Sequence, residues 1–319
     1  MASENKNNMP RPWGVDNSGD NPAAIRGERV PAVMGALARL CVVRGIRHHE
    51  GFAQELYGNL EFPEIRRALN ARAIMSNRIP EMNGPGDFPY CFWHPEVPGE
   101  QTLRRLLEKY PDNKLLRYQV GRACAAGGHT TLYHELGLLP DVAIAEEARD
   151  NATSGGAIFE AIVREPIRYA YMDDYLRCLR EAPIPGAYLN GDACVRSMLD
   201  KTLFVGGPIY NPHEQPIFDI TEDWCMDVEG VRPGARPVDP ETVRLLYNPL
   251  PRDLPTVDKD LLILMAAWSG NIDRYTRLRR PKLLSYELPY VIRGIYHYPL
   301  FSKWWSMQMQ PDNGPVAIH

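Results

Sequence analysis

The sequence predicts an all-α protein, an irregular array of helical hairpins joined by long proline-rich loops. Three observations lead there. Residues 261–278, LLILMAAWSGNIDRYTRL, read as two short helices closed by Gly270-Asn271, with Ala266 and Ala267 small enough to let the pair approach closely. Apolar residues recur at helical spacing along most of the remaining chain. No stretch alternates apolar and polar residues as a half-buried strand does. Prolines within 209–220 argue against a central strand there.

Taken in order, residues 1–28 are polar and rich in Asn, Gly and Pro, which predicts a loose arm. Residues 29–319 form one helical domain, with a break at 181–192 (EAPIPGAYLNGD) that divides it into sub-regions 29–181 and 193–310. A first hairpin is expected from 33–43, closing at Arg44-Gly45, with its second helix over 49–56. Pro63 suits a first helical position, and Ile65, Leu69 and Ile74 continue that helix. Residues 78–100 hold five prolines and three glycines, interleaved with Phe88, Tyr90, Phe92 and Trp93. A loop of this length covers or binds something, and its aromatics predict that it packs back onto the helices.

Helical patterning resumes at Leu103, and a second hairpin follows from 115 to 136 around Gly127-Gly128. Asp141 is placed to cap a helix over 142–149, and further helices are expected at 156–164, 167–181 and 193–204. After another Gly/Pro loop comes a short helix at 240–247. The hairpin from Asp258 is followed by two aromatic helices near 289–297 and 299–308, each opened by a proline.

The Leu261 segment resembles an ankyrin-type repeat, matching LLxxxAAxxGN-x-(D/E) through Leu261, Leu262, Ala266, Ala267, Gly270, Asn271 and Asp273. Gln119–Leu136 and Val33–Leu56 match in outline only. These segments lack the family's Thr-Pro-Leu-His turn, and they start far more than one repeat apart. What the resemblance implies is helix-pair stacking and a binding protein. Its matched residues are structural, so it carries over no catalytic role.

Composition excludes several classes of function. The chain is 44% hydrophobic and 24% charged with a formal net charge of −4, ordinary for a folded domain and unlike a disordered chain. Without a basic stripe, nucleic-acid binding is not expected. No apolar run is long enough for a membrane span, and six scattered cysteines without a CxxC pair fit a reducing, cytoplasmic setting. Charge is uneven: residues 208–260 carry eleven acids against five bases, and 271–305 carry seven bases against two acids. Asp219, Glu222, Asp223 and Asp227 are therefore expected to pair with Arg274, Arg277, Arg279 and Arg280.

No P-loop, Rossmann fingerprint, GxSxG elbow or metal-ligand spacing is present, so no cofactor is expected. His48-His49-Glu50 does not converge, because adjacent helical residues point about 100° apart. Asp173-Asp174 lacks the longer spaced carboxylate motif and the facing acidic cluster of a diphosphate site.

Two readings of function follow. The first is a helical-repeat scaffold that binds a protein partner through a concave face. The alternative is a metal- and nucleotide-independent enzyme acting on a small organic ligand, an isomerase or cyclase of specialised metabolism. Its candidate acid–base groups are His94, Asp173 and His297, and its aromatic walls are Phe88, Tyr90, Trp93, Tyr171, Tyr175, Trp268, Tyr296 and Trp304. Self-association into a homo-oligomer is the third open role.

Overall fold

The computed structural model describes residues 20–58, 62–195, 220–221, 223, 238–281, 283–284, 287–310 and 314–315. Fourteen helices appear among them. They are α1 (Asp20–Ile25), α2 (Ala36–His48), α3 (Glu50–Leu56), α4 (Pro63–Met75), α5 (Glu100–Lys109), α6 (Lys114–Gly127), α7 (Thr130–Leu136), α8 (Val142–Asp150) and α9 (Ala152–Val163), then α10 (Pro240–Tyr247), α11 (Lys259–Trp268), α12 (Ile272–Leu278), α13 (Leu288–His297) and α14 (Pro299–Ser306). One antiparallel hairpin, β1 (Tyr169–Asp173) with β2 (Cys178–Pro185), follows α9. A two-residue pairing of Met309–Gln310 with Gly314–Pro315 lies near the end of the chain.

Five of these helices start at a capping Asp or Asn. Asn113, Asp141, Asp239, Asp258 and Asn271 each accept a hydrogen bond from a backbone N–H of the first turn they precede. Each satisfies a donor that the helix itself cannot. The two hairpins expected at 115–136 and 261–278 are present as α6–α7 and α11–α12. Gly128 and Gly270 take the left-handed conformation that turns the chain between their helices (φ 72° and 60°). Among the described residues the fold is thus predominantly helical, with two small two-stranded pairings, and a regular ankyrin array is not seen.

The structure departs from the sequence reading in three places. Residues 167–181, expected as a helix, form the β1–β2 hairpin. Asp173 accepts hydrogen bonds from the backbone of Tyr175 and Leu176, and Arg177 takes a positive φ of 52°. Together they turn the chain tightly. Asp141 then fixes the strand, accepting from Tyr171 N at 2.6 Å while also capping α8 and accepting from the Tyr118 hydroxyl at 2.6 Å. Next, Gly45 does not close a hairpin but sits inside α2. A Cβ there would lie 2.0 Å from the Ala24 carbonyl oxygen, so the glycine lets α1 cross α2. Finally, within the expected N-terminal arm, residues 20–25 are helical and bury Ala24 and Ile25. The helix expected at 193–204 and most of 209–220 lie outside the described residues.

Three apolar cores result. Helices α1–α4 enclose Val42, Val43, Ile46 and Ile65. The central body, α5–α9 with β1, encloses Phe92, Leu103, Val120 and Ile144. The C-terminal helices α10–α14 surround Leu262, Ile263, Tyr275 and Phe301. Polar contacts join the last two bodies. Arg168 pairs with Asp253 at 2.9 Å, Arg149 donates to the Leu254 carbonyl at 2.7 Å, and Asp192 pairs with both Lys259 and Arg280. Among the described residues no helix is long and apolar enough to cross a membrane.

Candidate functional site

The last turn of α2 presents Arg44, Arg47 and His48, at spacings i, i+3 and i+4 that share one helix face. Facing them is the stretch between the short 3-10 turn Pro85–Asp87 and α5, which the chain bolts to α2 through its backbone. Fully buried Arg47 donates to the carbonyls of Cys91 (3.0 Å) and His94 (2.7 Å). Arg72 of α4 in turn donates to the Arg47 carbonyl and grips Glu96 with both terminal nitrogens. The His94–Pro95 peptide is cis. These bonds deliver the His94 ring edge-on to that of His48, with centroids 5.8 Å apart.

Asp223 completes the group. Its backbone is held by reciprocal bonds with Thr221, and its carboxylate is wholly sealed from solvent. Oδ2 accepts from His48 Nε2 at 2.5 Å and lies 3.9 Å from His94 Nε2, while Oδ1 accepts from Arg44 at 2.9 Å. Arg47 Nε stands 3.9 Å from Oδ2. One donor atom from each of His48, His94 and Asp223 therefore lies within 4.8 Å of the others, a geometry able to hold a metal ion. Both imidazoles are partly open to solvent, whereas the carboxylate is closed off.

Electrostatics keep this group in a ligating state. Burial pushes the His94 pKa down to about 4, helped by the nearby Arg47, His48 and Arg44 charges and opposed only by Asp223. Burial would raise the pKa of Asp223, but the His48 hydrogen bond and the charges of His48, Arg44 and Arg47 outweigh it and hold the carboxyl below its usual range. At neutral pH the centre contains a neutral His94 and an ionised Asp223, the states that bind metal.

A second polar constellation lies inside the central body. Arg122, fully buried, contacts Asp174 at 2.5 Å, the Ala193 carbonyl at 2.7 Å and Glu147 at 3.4 Å, with its guanidinium 5.2 Å above the Trp93 ring. Tyr90 donates to the same Asp174. Burial lifts the Glu147 pKa to about 7, against the lowering effects of Arg122 and Trp93. Every one of these charges has a partner within the protein, which marks the network as an internal brace.

The residues named from sequence are distributed as follows. His94 joins the cluster. Asp173 forms the hairpin turn and pairs with Arg180 at 2.9 Å. His297 ends α13 at an exposed position and is not part of the cluster. Phe88 and Tyr90 line a groove of about 960 Å³, while Trp93 is core. Tyr171 sets its edge against Tyr118, and Tyr175 packs on the central core. Trp268, Tyr296 and Trp304 belong to the C-terminal body, with Tyr296 82% exposed and Trp268 stacked under Arg293 at 3.7 Å. The named aromatics thus fall into separate places. The arginine partners foreseen for Asp223 are also different ones: Arg274 and Arg277 bind backbone carbonyls, Arg279 covers aromatic rings, and Arg280 pairs with Asp192 and Asp260. Asp219, Glu222 and Asp227 lie outside the described residues.

Sequence reasoning missed His48 and Asp223 as partners because 175 positions separate them. The available signal was local, three basic or imidazole side chains on one face at the end of α2.

Residues 93–192 match the family described as the YKP1 C-terminal domain. That stretch is under a third of the chain. It contains His94, Arg122, Glu147 and Asp174 but neither His48 nor Asp223, so the likeness speaks for the central body and leaves the cluster to its own geometry. None of the curated proteins matches the chain, and none of the solved structures does.

Proposed function

We propose that this protein is a small-molecule enzyme whose reacting centre is a divalent transition metal held by His48, His94 and Asp223. One observation carries the reading: three donor atoms from three distant parts of the chain converge within 4.8 Å. Two imidazoles and one carboxylate are a set that suits zinc, iron(II) or cobalt(II), with metal–ligand distances of roughly 2.0–2.2 Å. Asp223 Oδ2 faces both imidazoles while Arg44 occupies Oδ1, the arrangement by which an outer partner orients a ligating carboxylate. His48 Nε2, His94 Nε2 and Asp223 Oδ2 are the atoms that would hold the ion. Bound there, such a metal would polarise a carbonyl or acidify a bound water.

A metal-free version of the same centre has its own support. Arg44 and Arg47 already lend Asp223 positive charge, and the 2.5 Å bond makes His48–Asp223 a ready acid–base pair. The scaffold reading draws no comparable support from the fold.

Isothermal titration of chelator-treated protein with zinc or cobalt(II) separates these. The metal reading expects one equivalent bound, with H94A and D223N each weakening it by roughly a hundredfold. The exposed H297A variant should match wild type. Failure of the wild type to take up one equivalent would leave the metal-free pair as the better account.

A further inference from the structure

Helices α13 and α14 use only one face each to build the C-terminal body. Inward, α13 buries Val291 and Gly294, and α14 buries Phe301 and Trp305. Gly294 lets α13 press against α11, since a Cβ there would lie 2.2 Å from the Ala267 carbonyl oxygen. Outward, α13 carries Leu288, Ile292 and Tyr296 at i, i+4 and i+8. The outer face of α14 carries Leu300 and Lys303, with Met307 just past its end. Tyr296, Leu300 and Met307 are 82%, 74% and 62% exposed. Apolar side chains this open, on the last hairpin of a helical stack, call for something to cover them.

Two observations define what covers them. The first is shape. Residues 296–300, which turn the chain from α13 into α14, are all exposed, and Tyr296, Tyr298, Pro299 and Leu300 among them are aromatic or apolar. Such a run is a projecting corner, suited to a flat soft surface and not to gripping a partner helix. The second is charge. No Asp or Glu occurs from 288 to 311, whereas Arg293, His297 and Lys303 do. Arg293 lies over the Trp268 ring at 3.7 Å and donates to the Trp268 carbonyl, neither of which cancels its charge. Asp273 borders the corner in a notch with Tyr298 and Leu300, and Glu287 is buried against Tyr275. Against these two acids, residues 271–305 set seven bases.

We infer that the α13–α14 corner docks on an anionic lipid bilayer. Tyr296, Leu300 and Met307 enter the boundary between headgroups and acyl chains, where amphipathic rings are at home. Arg293 and Lys303 meet the anionic headgroups. At ten and eight residues neither helix can span a bilayer, so the contact is peripheral. This inference is independent of whether the histidine cluster holds a metal.

The test is co-sedimentation of the full chain with vesicles of phosphatidylcholine, with and without about one-third phosphatidylserine. Wild type should be half-bound to the charged vesicles below about 1 mM lipid, and at least tenfold more weakly to the neutral ones. The double variant Tyr296→Ser with Leu300→Ser should weaken binding by roughly tenfold or more. K303Q should weaken it roughly fivefold, on charged vesicles only. These side chains are exposed, so circular dichroism of both variants should match wild type. Failure of wild type to sediment with charged vesicles overturns the proposal in favour of an acidic protein partner. Equal sedimentation of the double variant and wild type also overturns it. So does a lipid-free dimer in analytical ultracentrifugation that the double variant abolishes, which would give this face to a second copy of the chain. Equal binding to neutral and charged vesicles overturns its electrostatic part.

Discussion

His94 and Glu147 are tuned in opposite directions by the same cause. Burial favours the neutral form of each, lowering the histidine from its ordinary 6.5 to about 4 and raising the carboxyl from 4.5 to about 7. Their effects on stability therefore have opposite signs. The unfolded chain binds more protons at His94 between pH 4 and 6.5, so that contribution is complete above 6.5 and is lost as pH falls towards 4. The folded chain binds more protons at Glu147 between 4.5 and 7, so that contribution is complete below 4.5 and is lost as pH rises through 7. Each span corresponds to a ceiling of ~3 kcal/mol. In wild type the two slopes oppose each other between pH 4.5 and 6.5. Urea unfolding across that range should show stability rising with pH in E147Q and falling with pH in H94Q. Parallel curves for both variants and wild type would contradict the assignment.

At the scale of the element, close approaches of backbone decide what the helices can do. Helix propensity alone says that an alanine at position 45, inside α2, is better than glycine by about 1 kcal/mol. The Ala24 carbonyl oxygen, 2.0 Å from where that methyl would sit, says otherwise. We expect G45A to lose ~2 kcal/mol, with α1 displaced from α2, as read from the urea midpoint and from faster amide exchange in residues 20–27. A more stable G45A would show that α1 does not pack there. The same residue shows what was legible from sequence. A glycine after an arginine looks like the end of a helix, and only the crossing of α1 reveals it as a contact. The capping signal at Asp141 fared better, because it acts within its own turn. The β1–β2 hairpin went unread for the converse reason. Its aromatic and aliphatic residues fit a helix face as well as a strand, and Asp141, some 30 positions away, settles the matter by binding Tyr171 N.

At the scale of the molecule, Asp192 ties the C-terminal helices to the central body. Its carboxyl is held below the usual range: burial opposes ionisation, and the Lys259 and Arg280 charges prevail. D192N leaves Lys259 without this carboxylate. The cost should be ~2 kcal/mol, at the low end for such pairs because Asp192 is partly solvated and Arg280 keeps Asp260. Hydrogen exchange should show residues 259–297 loosening before the central body in D192N, and together with it in wild type. Uniform exchange in both proteins would argue that apolar packing alone unites them. The charge imbalance between 208–260 and 271–305 pointed to internal pairing in general terms. The actual partners, Asp192 with Arg280 and Asp223 with the end of α2, required the fold, since nothing in spacing relates positions 48, 94 and 223.

That convergence is the claim on which the functional reading turns. Anomalous diffraction at the cobalt edge, from crystals grown with cobalt(II), locates the ion without reference to any reaction. The account predicts one strong peak about 2.1 Å from His48 Nε2, His94 Nε2 and Asp223 Oδ2. A map with no peak there, while His48 remains hydrogen-bonded to Asp223, would contradict it.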